Sequence, residues 1–228
     1  MIQEDLSIRF AEDIVEGCVV TSVGSKGAGK TSFMLAVVRA CLEKEDESPF
    51  DEYILILPSY KVEADAAYHF LDDFENVTIY TRYHEQIAVD LYKRNHDVRR
   101  RKQTLFVVDD ATAFARDLHN GKQSELVGLI SESRHVKVTT WLLVHSLRGI
   151  LSPVMRENVK YLLLYSITNR KLIENIHEEY VSLYKNVKEF IDEYVAVSRQ
   201  PHSCYMICTK PPPSIDIHSN DWNYVKFH

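Results

Sequence analysis

Val19-Val20-Thr21-Ser22-Val23 runs directly into Gly24-Ser25-Lys26-Gly27-Ala28-Gly29-Lys30-Thr31-Ser32, a buried-type strand closed by a complete G-x-x-x-x-G-K-[ST] loop. Few short stretches constrain a fold as tightly. Such a loop works when a strand delivers it and a helix leaves it, because consecutive backbone N–H groups then curl toward one point beside the positive end of the helix. Phe33, Ala36, Val37, Ala40 and Cys41 recur at helical spacing after the loop and predict that helix over 31–43. Lys30 offers a phosphate a mobile positive charge, and Thr31 offers Mg²⁺ a hydroxyl. Gly24 to Ser32 are therefore the candidate ATP-binding residues, with Thr31 also a candidate metal ligand.

The rest of the chain alternates apolar runs with helical patterns. Strands are predicted at 18–23, 53–57, 77–80, 105–108, 137–144, 161–166 and 203–209. Helical patterns fall at 61–74, 83–100, 124–133, 147–158 and 169–194. This alternation predicts an α/β fold, a mostly parallel sheet with helices on both faces. At 228 residues and 45% hydrophobic content, one domain is expected over 1–210. Pro211-Pro212-Pro213 is expected to end regular structure and to lead a tail, 211–228, punctuated by Trp222, Tyr224 and Phe227.

Four cysteines, Cys18, Cys41, Cys204 and Cys208, lie on apolar runs without a C-x-x-C pair and read as reduced core residues. Cys204 and Cys208 have a separation seen in some metal sites, but no second ligand pair follows them. No signal peptide opens the chain and no apolar run approaches the ~20 residues that span a bilayer, so a soluble protein is expected. The net charge of −6 argues against bulk affinity for nucleic acid and leaves any such contact to a local basic patch.

Leu105-Phe106-Val107-Val108-Asp109-Asp110 is four apolar residues capped by two carboxylates, the form of a Walker B strand. Asp109 is the candidate partner of the metal beside Thr31, and Asp110 the candidate residue for orienting or deprotonating the attacking water. Two strand candidates, 53–57 and 77–80, intervene between the loop and the acids. That order points to the additional-strand class of P-loop NTPases.

Ser133-Arg134-His135 precedes the strand ending at Val144-His145-Ser146, and Arg156-Glu157-Asn158 precedes the next strand. With the phosphate loop and the paired acids, this order resembles the FtsK/HerA superfamily over roughly residues 17–180. Within it the chain is most similar to genome-packaging ATPases of large DNA viruses and of tailless membrane-containing icosahedral phages of the tectivirus type. The resemblance implies an ATPase using ATP and Mg²⁺ to translocate double-stranded DNA into a viral procapsid. It also implies a homo-oligomer, a hexameric ring, working with portal or vertex and membrane-associated packaging proteins, in the host cytoplasm during assembly and in the virion.

On this resemblance His145 takes the place of the polar residue, often Gln or Asn, that senses the terminal phosphate or positions water. Arg156 matches the arginine of Arg-x-Asn and becomes a finger reaching the neighbouring subunit's nucleotide, with Arg134 the competing finger. Two departures stand out: a histidine where an amide is usual, and Asp110 where relatives often carry Glu.

DNA contact has two candidates, the run 93–102 with six Lys/Arg and the loop from Arg116 to Lys122. Two other functions fit parts of the pattern. A small nucleotide kinase would use 99–102 as a phosphate-clamping lid and would need an acceptor pocket. A nucleotide-gated assembly or switch protein would bind ATP without processive work.

Overall fold

The computed structural model describes residues 6–44, 48–61, 67–114, 124–200, 203–209, 214–218 and 224–226. Six strands, β1 (Val19–Val23), β2 (Glu52–Ile56), β3 (Val77–Tyr80), β4 (Thr104–Val108), β5 (Val138–Val144) and β6 (Val159–Leu164), lie parallel in the order β3-β2-β4-β5-β1-β6. Three more, β7 (Cys204–Cys208), β8 (Ser214–His218) and β9 (Tyr224–Lys226), continue the sheet antiparallel beyond β6. Every residue of β1, β4 and β5 is buried, as expected where helices cover both faces of a parallel sheet. β5 pairs with β1 on one side and β4 on the other, so an added strand separates the phosphate loop's strand from the strand of the acids.

Alternating side chains along each strand feed two cores. On one face α1 (Leu6–Ile14) and α2 (Lys30–Leu42) bring Phe10, Ile14, Phe33, Met34 and Val37 against Trp141 and Tyr161. Phe10 meets the Trp141 and Tyr161 rings edge-on at 5.5 and 5.4 Å between centroids. On the other face lie α3 (Glu85–His96), α4 (Glu125–Ser131), α6 (Pro153–Glu157), α7 (Arg170–Ile176) and α8 (Val187–Ser198), with the short α5 (Ser133–Val136) at the start of β5. Leu91, Leu129, Met155, Ile173 and Phe190 pack there on Phe106 and Leu142. Each such fully buried side chain contributes about 1.5–3 kcal/mol relative to exposure.

Several expectations change. α1 precedes the first predicted element; Phe10, Ala11 and Ile14 share one helical face, a signal only three residues strong. The helix expected at 61–74 lies partly outside the described residues, and its described ends are 3₁₀ segments, Pro58–Lys61 and His69–Asp73. The helical run at 169–194 is interrupted: α7 widens into a π segment, His177–Val181, before Asn186 caps α8 with its side chain. Regular structure does not end at the proline triplet, because β8 pairs with β7 and β9 with β8; the alternation Ser-Ile-Asp-Ile-His is a strand pattern. Trp222 and Phe227 lie outside the described residues. Cys204 and Cys208 occupy the two ends of β7, roughly 13 Å apart at strand rise, too far to share one ion.

Candidate functional site

The phosphate loop leaves β1 with its start pinned to the ends of the neighbouring strands. Gly24 N donates to Val144 O at 3.3 Å and Ser25 N to Ser166 O at 2.9 Å. A side chain at Gly24 would meet the Tyr165 Cβ at 2.7 Å, so the loop needs glycine there to lie against β6. Gly29 caps α2 with φ +94°, a conformation L side chains rarely adopt. Phe33 N is bonded to Gly29 O at 3.0 Å as the helix begins, and the N–H groups of Lys30, Thr31 and Ser32 precede that ladder at the positive end of α2. Lys30 folds back over the loop, donating to Gly24 O at 2.8 Å and Ser25 O at 2.9 Å.

The acids arrive from two strands away. The Thr31 hydroxyl donates to both carboxylate oxygens of Asp109, at 3.2 and 3.1 Å, and Asp110 N donates to Asp109 Oδ1 at 2.9 Å. Asp110 itself has φ +48°, a strained backbone for a non-glycine residue, and turns its carboxylate outward, 49% exposed. His145, just past β5, has Nδ1 2.9 Å from Gly24 O; a carbonyl can only accept, so Nδ1 carries the proton and donates. Nε2 then faces Asp110 Oδ1 at 3.6 Å. His145 N donates to Thr112 Oγ1 at 3.0 Å, tying the loop after β4 to the loop after β5. Thr112 is a site-building residue that the sequence did not flag; its only signal was lying two positions beyond the acids.

Burial sets the electrostatics. Lys30 and Asp109 are each only 7% exposed. Burial lowers the Lys30 pKa from the ordinary lysine value, against the opposing pull of Asp109 and Asp110. It also raises the Asp109 pKa, opposed by the hydrogen bonds from Thr31 and from the Asp110 backbone. Each charge is thus held against its own desolvation. That donor set fits an oxygen-seeking divalent cation at Thr31 and Asp109 and phosphate oxygens at Lys30.

The two arginines fall elsewhere. β5 and β6 run parallel to β1, so Arg134 before β5 and Arg156 before β6 lie near the sheet edge opposite the phosphate loop. Arg134 is exposed. Arg156 is held within its own chain: Nε pairs with Glu179 Oε1 at 2.5 Å and a terminal nitrogen donates to Leu151 O at 2.7 Å. The basic run 93–102 lies at that same edge, ahead of β4. Arg94 is paired through both terminal nitrogens with Glu52 at 2.9 and 2.5 Å, Arg101 donates to Asn95 O and the exposed Lys102 faces Glu52 at 4.0 Å, leaving Lys93, Arg99 and Arg100 exposed and outside these pairs. A lid at 99–102 is excluded within one chain, since β4 puts roughly 20 Å between that turn and Asp109. The alternative loop, 116–122, lies outside the described residues.

A phosphate loop closing β1, paired acids closing β4 and an added strand between them define an additional-strand P-loop NTPase fold. The chain belongs to the poxvirus A32 protein family, whose profile matches residues 16–208. Among solved structures it is similar to B204, the DNA-packaging ATPase from Sulfolobus Turreted Icosahedral Virus, with TM-score 0.60, 9% identity, and 94% of this chain and 98% of that one covered. It is also similar to the genome packaging NTPase B204 from Sulfolobus turreted icosahedral virus 2 in complex with ATP-gammaS, at TM-score 0.61, 13% identity, 93% and 97% coverage. The pCW3 conjugation coupling protein TcpA with ATPgS matches at TM-score 0.60 and 13% identity, over 94% of this chain and 60% of that one. At these identities the likenesses show the fold. No curated protein matches the chain in sequence. Among the described residues no helix is long and apolar enough to cross a membrane.

Proposed function

We propose that this chain is an ATP-hydrolysing motor that translocates double-stranded DNA into a viral procapsid. The observation that carries the hydrolytic half is the meeting of Thr31, Asp109, Asp110 and His145 on the loops after three adjacent strands. In this reading Gly24 to Ser32 hold the triphosphate, and Mg²⁺ bound by Thr31 and Asp109 supplies charge neutralisation. Asp110 or His145 orients a water whose oxygen bonds to the terminal phosphorus as the bond to the bridging oxygen breaks, leaving ADP, inorganic phosphate and a proton.

Family membership and the B204 likeness support packaging as the work done. The subunits are proposed to form a hexameric ring, with Arg156 entering the neighbour's site and a basic segment of each subunit facing the DNA. Residues 1–210 would be the ATPase unit, to whose sheet the appended 211–228 adds β8 and β9. Portal or vertex and membrane-associated packaging proteins, of the kind met in tectivirus-type phages, would be its partners, in host cytoplasm and then in the virion.

Steady-state ATP hydrolysis with and without duplex DNA tests this, with assembly followed by mass photometry. Stimulation by duplex supports the motor, and one slow turnover without stimulation would replace it by a switch. The kinase has one observation in its favour, a cavity of about 750 Å³ beside Thr31 and Asp109 that Arg39, Tyr68 and Phe70 also line. Phosphate transfer to a nucleoside monophosphate would establish it.

A further inference from the structure

A second cavity, about 320 Å³, opens on the other flank of the phosphate loop, between the loops that follow β5 and β6. Ser25 and His145 form its wall toward the loop; Ser146, Arg148, Asn169 and Lys171 are among its other polar groups. Two cations line it and no carboxylate does. A cavity of this composition selects an anion rich in acceptor oxygens. His145 is bonded to Gly24 O and faces Asp110 at 3.6 Å, and Ser25 belongs to the loop itself, so the cavity lies against the start of the phosphate loop, beside the candidate water-orienting pair.

Arg148 is parked rather than locked. A terminal nitrogen lies 3.2 Å from Glu178 Oε2 and Nε lies 3.9 Å from Glu179 Oε2, with the Arg148 side chain 48% and that of Glu178 74% exposed. An ion pair so open to solvent contributes little and is readily exchanged. Glu179 has a closer partner in Arg156, at 2.5 Å, so releasing Arg148 leaves Glu179 still paired. Both carboxylates sit on the π segment 177–181, where widened helical turns commonly mark functional sites.

We propose that this cavity binds a phosphoryl group, the one being removed from the nucleotide or the inorganic phosphate it becomes, with Arg148 as the binding arginine supplied by the same subunit. The inference rests on the nucleotide-site assignment above and adds a cation that the phosphate-loop and Walker B motifs do not specify. Arg148 leaves Glu178 and takes phosphoryl oxygens through its planar fork, with Lys171 as a second charge.

Fluorescent ADP binding to the full chain tests it, with Mg²⁺ alone, with aluminium fluoride as the mimic of the transferring group, and with millimolar inorganic phosphate. In wild type at least one anion should tighten ADP binding tenfold or more, and the arm that responds tells transferring group from product. Arg148→Ala should bind ADP alone within twofold of wild type and lose the anion response; Arg148→Lys should keep part of it. Glu178→Gln, which frees Arg148, should strengthen the response, whereas a merely structural pair predicts the same loss in both variants. Equal losses in Arg148→Ala and Glu178→Gln, or an anion response that survives Arg148→Ala, would overturn the proposal while leaving the nucleotide site standing. A wild-type chain that binds no ADP, like Lys30→Ala, would overturn the nucleotide site and this inference with it.

Discussion

Thr31 and Asp109 meet although 78 residues separate them: the threonine hydroxyl donates to both carboxylate oxygens, at 3.2 and 3.1 Å. Neither residue can be placed on the other from local pattern, because the contact depends on β5 inserting between their strands and on α2 rising from the loop toward β4. The pair makes one oxygen-rich corner beside the buried Lys30.

Lys30→Ala and Asp109→Ala are therefore expected to lose ATP hydrolysis by at least about 100-fold, the scale of removing one preorganised charge contact. The measurement is phosphate release under saturating MgATP, with folding checked by thermal melting. Hydrolysis within tenfold of wild type in either variant would remove that residue from the site.

Asn95 offers a stability test away from this corner. It is fully buried, and its amide donates to Lys102 O and Val136 O, both at 2.8 Å, clamping the basic turn 97–102 beside the turn that opens β5. Asn95→Ala takes the side-chain donor from Val136 O, while Lys102 O keeps the Thr104 hydroxyl at 3.2 Å, and should cost about 1–3 kcal/mol in urea unfolding. A change under about 0.5 kcal/mol would mean Val136 O finds another partner.

Much of this fold is legible in the sequence because strands buried on both faces read as unbroken apolar runs. Val19–Val23, Thr104–Val108 and Val138–Val144 could each be located to within a residue or two that way. Elements whose identity comes from tertiary contact were not legible. α1 takes its place from Phe10 packing on Trp141 and Tyr161, and β8 from pairing on β7. The π segment has no propensity signature at all. In the site, motif residues were readable because phosphate chemistry fixes their spacing, whereas Thr112, Arg148 and Glu179 act through contacts that no spacing encodes.

The exposed cations of the opposite edge give a prediction for DNA. Lys93, Arg99 and Arg100 are free to meet phosphates, whereas Arg94 neutralises Glu52 and holds the fold. The double variant Arg99→Glu, Arg100→Glu should weaken duplex binding at every sequence alike and lower the salt slope by about 1 per lost contact. Fluorescence anisotropy across a salt series reads both. Unchanged affinity and slope would exclude this edge as the DNA contact.

Buried thiols make the chain sensitive to alkali. Burial pushes Cys41 and Cys204 up to about 12 from an ordinary 9.0. Their folded pKa values exceed the unfolded ones, so their contribution to stability is complete below about 9 and is lost as pH rises toward about 12. Urea midpoints should therefore be insensitive to these groups at neutral pH and fall above pH 9. Native maleimide labelling should reach the half-buried Cys208 first, with Cys18, Cys41 and Cys204 reacting only on unfolding. Fast labelling of Cys204 at neutral pH would show that β7 opens locally.

Arg156 is engaged within its own chain: its guanidinium is paired with Glu179, the carboxylate that Arg148 also faces, and donates to Leu151 O. The proposed finger role has it leave Glu179 and act across a subunit boundary. Arg156→Ala should retain ATP binding and lose hydrolysis by about 10³-fold, the low end of arginine-finger effects. Mixing it with Asp109→Ala should restore part of the activity: an interface formed by an intact metal corner from one variant and an intact arginine from the other is complete. Arg134→Ala, run in parallel, separates the two candidates, because only the true finger is rescued by mixing. A chain that stays monomeric under all nucleotide conditions, with Arg156→Ala hydrolysing normally, would defeat the trans arrangement.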